Sequence, residues 1–398
     1  MMTKEFATRI QATSQTGIED LIPDPDDVTI SFAGGLPDEH LFPQAELATS
    51  FQRVLLKGTD NPLQYHNAKG YLPLRTYLQQ MMAAEGTTVT LEQILLTQGA
   101  QQGLDLVAKL LLNKHDKVAI EAPTYIGGLA AFSAYEPDYL EIPMQADGLD
   151  VDLLEQLLTT NTIKFLYTVP NFQNPTGFVM SLAKRKKLIA LAKKYHFIIL
   201  EDDPYRHLRF AGEDLPALQA LDNSGHVISL GSFSKILAPG LRLGWLVATP
   251  DLLTEIRLLK DGSDLETPAI IQQAVTDYLV HNDFQAHWQK LQQDYREHRD
   301  WMSAALTKYL PSGYQFSHPE GGFFLWLMGP NNVNLEHLLR EKIAPENHVL
   351  FVPSTNLYAR KNVCNCARLS YAGATHEQID RGIQLICAAL TPELEFSK

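Results

Sequence analysis

The sequence predicts an α/β protein, with a mostly parallel central sheet carrying helices on both faces and a smaller α/β C-terminal domain. Three observations predict it. Short, nearly all-apolar runs recur, as expected of strands covered on both faces. They alternate with segments whose apolar residues keep helical spacing. After Pro250 the pattern changes to long helices, and strand-like runs return only from Gly321.

The alternation begins with Ile94-Leu-Leu-Thr97, followed by Leu104, Val107, Ala108 and Leu111 at helical spacing. Lys117-Val-Ala-Ile120, Phe165-Leu-Tyr-Thr-Val169, Phe197-Ile-Ile-Leu200 and Val227-Ile-Ser-Leu230 read as further strands, and a helix after Ser181 buries Leu188, Leu191, Ala192 and Tyr195. Beyond Pro250, Thr267-Pro268 is expected to cap a helix with the proline at its first position. Trp288, Leu291 and Tyr295 share one face of another helix, read as a connection between domains. Phe323 to Leu327, Val349 to Val352 and Ala367 to Tyr371 are the strand candidates of the C-terminal domain. Thr375 with Gln378 forms a capping box ahead of Ile379, Ile383, Ile386 and Leu390. At the other end, the Pro/Asp-rich Ile22-Pro-Asp-Pro-Asp-Asp27 closes an N-terminal arm.

Composition limits the function. With 398 residues, 45% of them hydrophobic, the chain exceeds one typical core and can bury a large cofactor. A formal charge of −13 argues against nucleic acid or an anionic membrane surface as the main partner. Met1 to Asp20 lacks the continuous apolar stretch of a secretory signal, and no run reaches membrane-spanning length. The odd cysteine set, Cys364, Cys366 and Cys387, offers neither a CxxC pair nor a zinc set and fits a reducing compartment. The expectation is a soluble cytoplasmic protein without a metal, its cysteines serving as packing residues.

Five clusters fall at predicted strand ends, where open parallel sheets gather ligands. In Val227-Ile-Ser-Leu-Gly-Ser-Phe-Ser-Lys235, an amine follows an apolar strand, where desolvation lowers its pKa and permits a Schiff base with an aldehyde. Ser232, Ser234 and Arg242 could hold a phosphate beside it; a surface-loop lysine with capping serines is the plainer alternative. Thr97-Gln-Gly-Ala-Gln-Gln-Gly103 breaks a strand and opens a helix, leaving N–H groups for an anion or simply reversing the chain. Pro170-Asn-Phe-Gln-Asn-Pro-Thr-Gly177 offers the Asn174 amide, though Asn-Pro-Thr-Gly is also ordinary turn chemistry. Ile198-Ile-Leu-Glu-Asp-Asp-Pro-Tyr205 ends a strand in three acids, one of which could pair with a buried ring cation. Metal ligation by Asp202 and Asp203 competes, with only His207 nearby to assist. Glu121-Ala-Pro-Thr-Tyr125 supplies an aromatic plate for a flat ring, or an ordinary buried tyrosine.

An amine, a ring-nitrogen partner, an aromatic plate, an amide donor and a phosphate cup are what pyridoxal 5′-phosphate requires. At this point the chain resembles the fold-type I pyridoxal-phosphate aminotransferases, from Ser31-Phe-Ala-Gly-Gly-Leu-Pro37 to Arg368-Leu-Ser-Tyr371. Within that class FAGGLP, QNPTG, EDDPY, GSFSK and LRLGW resemble the subgroup of 2-aminoadipate and kynurenine aminotransferases and MocR-type effector domains. The resemblance implies Lys235 as the Schiff-base lysine and proton carrier, Asp202 on the pyridine nitrogen, and Asn174 and Tyr205 at the ring hydroxyl oxygen. Tyr125 would lie against the ring, and Ala100, Gln101, Ser232, Ser234 and Arg242 would hold the phosphate. Tyr65 would reach the phosphate of the neighbouring subunit, making the protein a homodimer with shared sites. Arg368 would clamp the substrate α-carboxylate, with Gly35 offering a backbone N–H. Without the resemblance, Arg368 is a charged residue in an apolar strand that a structural ion pair would explain.

The same resemblance divides the chain into an arm at 1–30, a large cofactor-binding domain at 44–295 and a small domain of 31–43 with 296–398. It also implies ping-pong transfer from an L-amino acid to a 2-oxo acid such as 2-oxoglutarate. Subgroup members that favour acidic donors carry an arginine in the N-terminal segment. The matching stretch here, Gly17-Ile-Glu-Asp-Leu21, offers acids instead, so the expectation is broad activity on aromatic or aliphatic amino acids. A regulator effector domain is a rival reading, but it would need a basic winged-helix segment ahead of FAGGLP, for which little chain remains. A cofactor binder without turnover and a β-lyase acting on cysteine conjugates remain as the other two.

Overall fold

The computed structural model describes residues 7, 9–10, 30–57, 60–360 and 362–391. Most of the expected arm, including Gly17 to Leu21, lies outside the described residues.

The strands form three sheets. In chain order they are β1 (Ile30–Ser31), β2 (Ile94–Thr97), β3 (Lys117–Ala122), β4 (Asp138–Gln145), β5 (Gly148–Leu149), β6 (Phe165–Thr168) and β7 (Ile198–Asp202). There follow β8 (Val227–Ser232), β9 (Gly244–Val247), β10 (Gln315–Phe316), β11 (Phe324–Met328), β12 (Val349–Leu350), β13 (Val352–Pro353) and β14 (Cys366–Ser370). The largest sheet has eight strands in the order β2-β9-β8-β7-β6-β3-β4-β5. From β8 to β4 every neighbour is parallel, while β9 runs antiparallel to both β2 and β8. β6 is buried throughout and β7 from its second residue on, the burial that their unbroken apolar runs predict. One face packs on a cluster that includes Phe132, Phe165 and Tyr167, and the other on Leu154, Leu188 and Ile199.

Strand β4 has no counterpart in the sequence reading. Its residues are mostly half-buried, so no continuous apolar run marks it. The expected strand from Val349 to Val352 is two strands: β12 pairs with β1 and β13 with β14, with the break at Phe351. The segment after β1 meets the end of β14 in the four-stranded sheet, where Ser370 N donates to Phe32 O at 2.8 Å.

Helix ends follow their caps. Ser181 accepts from Lys184 N at the start of Leu182–Tyr195, and the Thr375–Gln378 capping box opens His376–Leu390. The helix Ala269–His281 differs from expectation: Pro268 precedes its first residue, and the Thr267 hydroxyl donates to Leu96 O at 3.3 Å rather than capping. That hydroxyl is buried beside β2, so the strand-end carbonyl takes it. A helix of 26 residues, Phe284–Tyr309, buries Trp288, Leu291 and Tyr295 and continues across the expected domain division. Cys366 and Cys387 are buried, and all three cysteines are free. Among the described residues no helix is long and apolar enough to cross a membrane.

Candidate active site

A cavity of about 540 Å³ opens at the carboxyl ends of the parallel strands. The fold brings twelve of the thirteen expected site residues to its walls: Gly35, Ala100, Gln101, Tyr125, Asn174, Asp202, Tyr205, Ser232, Ser234, Lys235, Arg242 and Arg368. The thirteenth, Tyr65, stands outside it with 75% of its surface exposed.

Lys235 follows β8, and its Nζ donates to Gly35 O at 2.7 Å. Burial, and then the positive charges of Arg368 and Arg242, push its pKa down to about 8, against the pull of Asp202. Near neutrality the amine is therefore within reach of its neutral, nucleophilic form. This favours the reactive-lysine reading over a lysine on a solvated loop.

Asp202 ends β7 and is buried. Its Oδ2 accepts from the Tyr167 hydroxyl at 2.9 Å, while Oδ1 is buried with no hydrogen-bond partner. Burial raises this carboxyl to about 7. An unsatisfied carboxylate oxygen is costly unless a donor arrives, and a protonated ring nitrogen supplies one. The alternative of metal ligation gains no support, since no cluster of three ligand-type side chains occurs among the described residues.

The expected phosphate cup joins three elements. The helix Gly99–Leu111 starts at the cavity, where its first N–H groups lack intrahelical acceptors. Gly99 has φ +74°, and a Cβ there would lie 2.9 Å from the Arg242 guanidinium, so only glycine lets the helix start this close to the cation. Ser232 and Ser234 pair at 2.9 Å between hydroxyls. Tyr125 packs its ring where a Cβ on Gly127 would fall 2.3 Å away, which makes that glycine a requirement of the plate.

Arg368 is 2% exposed. Its guanidinium donates to Asn174 Oδ1 at 2.9 Å and to Ala33 O, lies 4.4 Å over the Phe324 ring, and leaves Nε buried and unpartnered. No described carboxylate pairs with it, which removes the structural ion-pair explanation. Burial lowers its pKa to about 10, still far above neutrality. A buried cation without a partner anion favours an incoming carboxylate.

Three residues of the site escape the sequence reading. Tyr167 holds Asp202, but an apolar strand gives no sign of which carboxylate its hydroxyl will meet. Phe324 carries both Arg368 and an edge contact with Tyr205. Glu121 lies 1% exposed beneath the strand ends, accepting from the Thr168 hydroxyl at 2.5 Å, from Val169 N and from Gln173 Nε2 at 3.0 Å. Gln173 in turn donates to Pro123 O, so this carboxyl joins the loops that carry Tyr125 and Asn174. Burial raises it to about 7. Replacing Glu121 with alanine leaves the Thr168 hydroxyl and Val169 N without an acceptor, each a cost of about 1–3 kcal/mol, and strips Gln173 of one of its two acceptors. Urea unfolding should register a loss of about 3 kcal/mol or more.

A family model for aminotransferase class I and II matches residues 36–386. The chain is a class I and II aminotransferase. This aminotransferase is 37% identical to aromatic-amino-acid aminotransferase 1 of Thermococcus litoralis over 92% of its own length and 89% of the relative's. It is 38% identical to the 2-aminoadipate transaminase of Thermus thermophilus, over 96% and 95% of the two chains. Among solved structures, the α-aminoadipate aminotransferase of Thermus thermophilus, complexed with N-(5′-phosphopyridoxyl)-L-leucine, superposes with a TM-score of 0.91 at 36% identity, covering 97% of each chain. The aminotransferase has the fold-type I architecture, and its cofactor is pyridoxal 5′-phosphate. The orphaned Asp202 oxygen, the unpaired Arg368 and the glycine-bounded cup all fit that group.

Proposed function

We propose that this aminotransferase moves the amino group of an aromatic or aliphatic L-amino acid, with broad specificity, to a 2-oxo acid such as 2-oxoglutarate in ping-pong order. The observation that carries the substrate class is the cavity wall. Leu36, Ile126 and Phe324 line it, and its only cations among the described residues are Lys235, Arg242 and Arg368. With Arg242 at the phosphate cup and Arg368 assigned to the α-carboxylate, no described guanidinium is left for a second, distal carboxylate.

When bound, the cofactor supplies an aldehyde and a protonated ring that accepts the electrons of the substrate Cα–H bond. The chain's own residues do the rest. Ser232, Ser234, Arg242 and the helix start at Ala100 and Gln101 would grip the phosphate. Asp202, steadied by Tyr167, would keep the proton on the ring nitrogen, and Tyr125 would lie against the ring. Asn174 and Tyr205 would face the ring hydroxyl oxygen. Arg368 and the Gly35 backbone hold the substrate carboxylate, fixing Cα near Lys235. Lys235 Nζ would then carry the α-proton away from the substrate Cα and return one to Cα in the second half-reaction. The large domain of 44–295, the small domain of 31–43 with 296–398, and a homodimer in which Tyr65 reaches the neighbour's phosphate belong to the same proposal. The exposure of Tyr65 supports the last point.

Visible absorption of the cofactor-loaded chain tests the substrate class. Tyrosine, phenylalanine, leucine and other apolar donors, added one at a time, should each convert the cofactor to its amine form. Conversion confined to aminoadipate or glutamate would overturn the breadth, and pyruvate with ammonia from cysteine conjugates would favour a lyase.

A further inference from the structure

Behind the phosphate cup lies an ion pair that none of the roles above uses. Lys260, on the helix Pro250–Asp264, has no exposed side-chain surface, and its Nζ donates to both oxygens of Asp264, at 2.7 and 2.9 Å. Asp264 Oδ2 also accepts from Gln98 Nε2 at 2.7 Å and from Gln102 Nε2 at 2.6 Å. Those two glutamines flank the start of the helix Gly99–Leu111: Gln98 is its N-cap residue and Gln102 lies in its first turn. Gln102 Oε1 closes the circuit by accepting from Gln98 N at 2.8 Å.

The segment is anchored beyond the pair as well. Two residues beyond Leu265, Thr267 anchors the segment to β2 through Leu96 O. Burial alone would raise the Asp264 carboxyl, yet the hydrogen bonds from Lys260, Gln102 and Gln98 together hold it below its ordinary value. Burying a lysine is costly without a paired anion, so this pair is retained only if both charges stay together. An aspartate close to a phosphate site would by itself repel the ligand. Here Lys260 meets both oxygens, and the glutamine amides stand between the carboxylate and the helix start.

We propose that Asp264 is a positioning residue for the cofactor phosphate, setting the first turn of the helix Gly99–Leu111 through Gln98 and Gln102 while Lys260 neutralises it. This rests on the reading that the phosphate binds at that helix start. The consequence is selective: the residue governs affinity for the phosphate and leaves the ring subsite of Asp202, Tyr125 and Asn174 alone.

The test compares pyridoxal 5′-phosphate with pyridoxal, which lacks the phosphate. Cofactor-free full-length chain is titrated with each compound, and binding is read from visible absorption and quenching of tryptophan fluorescence. Asp264→Ala should weaken pyridoxal 5′-phosphate about tenfold or more, the scale of hydrogen bonds to a charged group, while pyridoxal affinity stays within about twofold of the parent. The double variant Gln98→Ala with Gln102→Ala breaks the same link from the other side, keeps the buried ion pair, and should show the same selective loss. An equal fall for both compounds, or no change for either, in the folded double variant overturns the proposal. A parent chain that binds neither compound overturns the function proposed above, and this role with it.

Discussion

Replacing Lys235 with alanine should leave a chain that still takes up pyridoxal 5′-phosphate but transaminates about 10²–10⁴-fold more slowly or worse, the typical worth of a positioned general base. Its Nζ is the one amine on the described cavity wall, so no neighbour inherits the proton transfer. Single-turnover absorption with a saturating amino donor measures the step, and a rate near that of the parent would sink the assignment. The parent itself should show a pH signature. Burial and two nearby guanidinium groups disfavour the ammonium form, which brings the pKa from 10.5 to about 8. The neutral amine is the nucleophile, so capture of the cofactor should accelerate as pH rises and level off above about 8. A lysine of ordinary pKa would still be accelerating there.

Arg368→Ala should lower kcat/KM for amino acids roughly 30- to 5,000-fold, the equivalent of about 2–5 kcal/mol for losing one side of a buried, hydrogen-bonded charge pair. The decisive comparison uses a primary amine of similar shape without a carboxylate. Parent and variant should convert it at similar rates, because the guanidinium has nothing to grip. An equal loss on both compounds would mean that Arg368 only supports Asn174 and Ala33, to which it donates in the structure. Arg368→Lys should recover little of the loss, since an ammonium cannot present two parallel N–H donors to one carboxylate.

Much of the molecule was legible in advance because its signals are local. Nearly all-apolar runs marked the buried parallel strands β6, β7 and β8, and Ser181 and Thr375 marked helix starts, since a cap or a covered strand depends on a few adjacent residues. The chemistry-bearing loops were equally plain: a lysine among serines, acids at the end of an apolar strand, an arginine inside one. What stayed hidden depends on register or on contacts distant in sequence. Strand β4, next to last in the large sheet, offers no apolar run, and the split between β12 and β13 appears only when each finds its partner. Glu121 looks like one more strand-end acid until Thr168 and Gln173 close over it.

From its residues alone this chain determined an α/β sheet architecture and which side chains could take part in pyridoxal-phosphate chemistry, because residue type and short spacing suffice for both. Tertiary structure alone decided their charge states and partners. Asp202 keeps an open acceptor, Arg368 lacks an anion and Lys235 is lowered to about 8 because segments far apart in the chain converge to exclude water and set which charges meet. Desolvation and Coulomb interactions act through space, and no local pattern in the sequence encodes those distances.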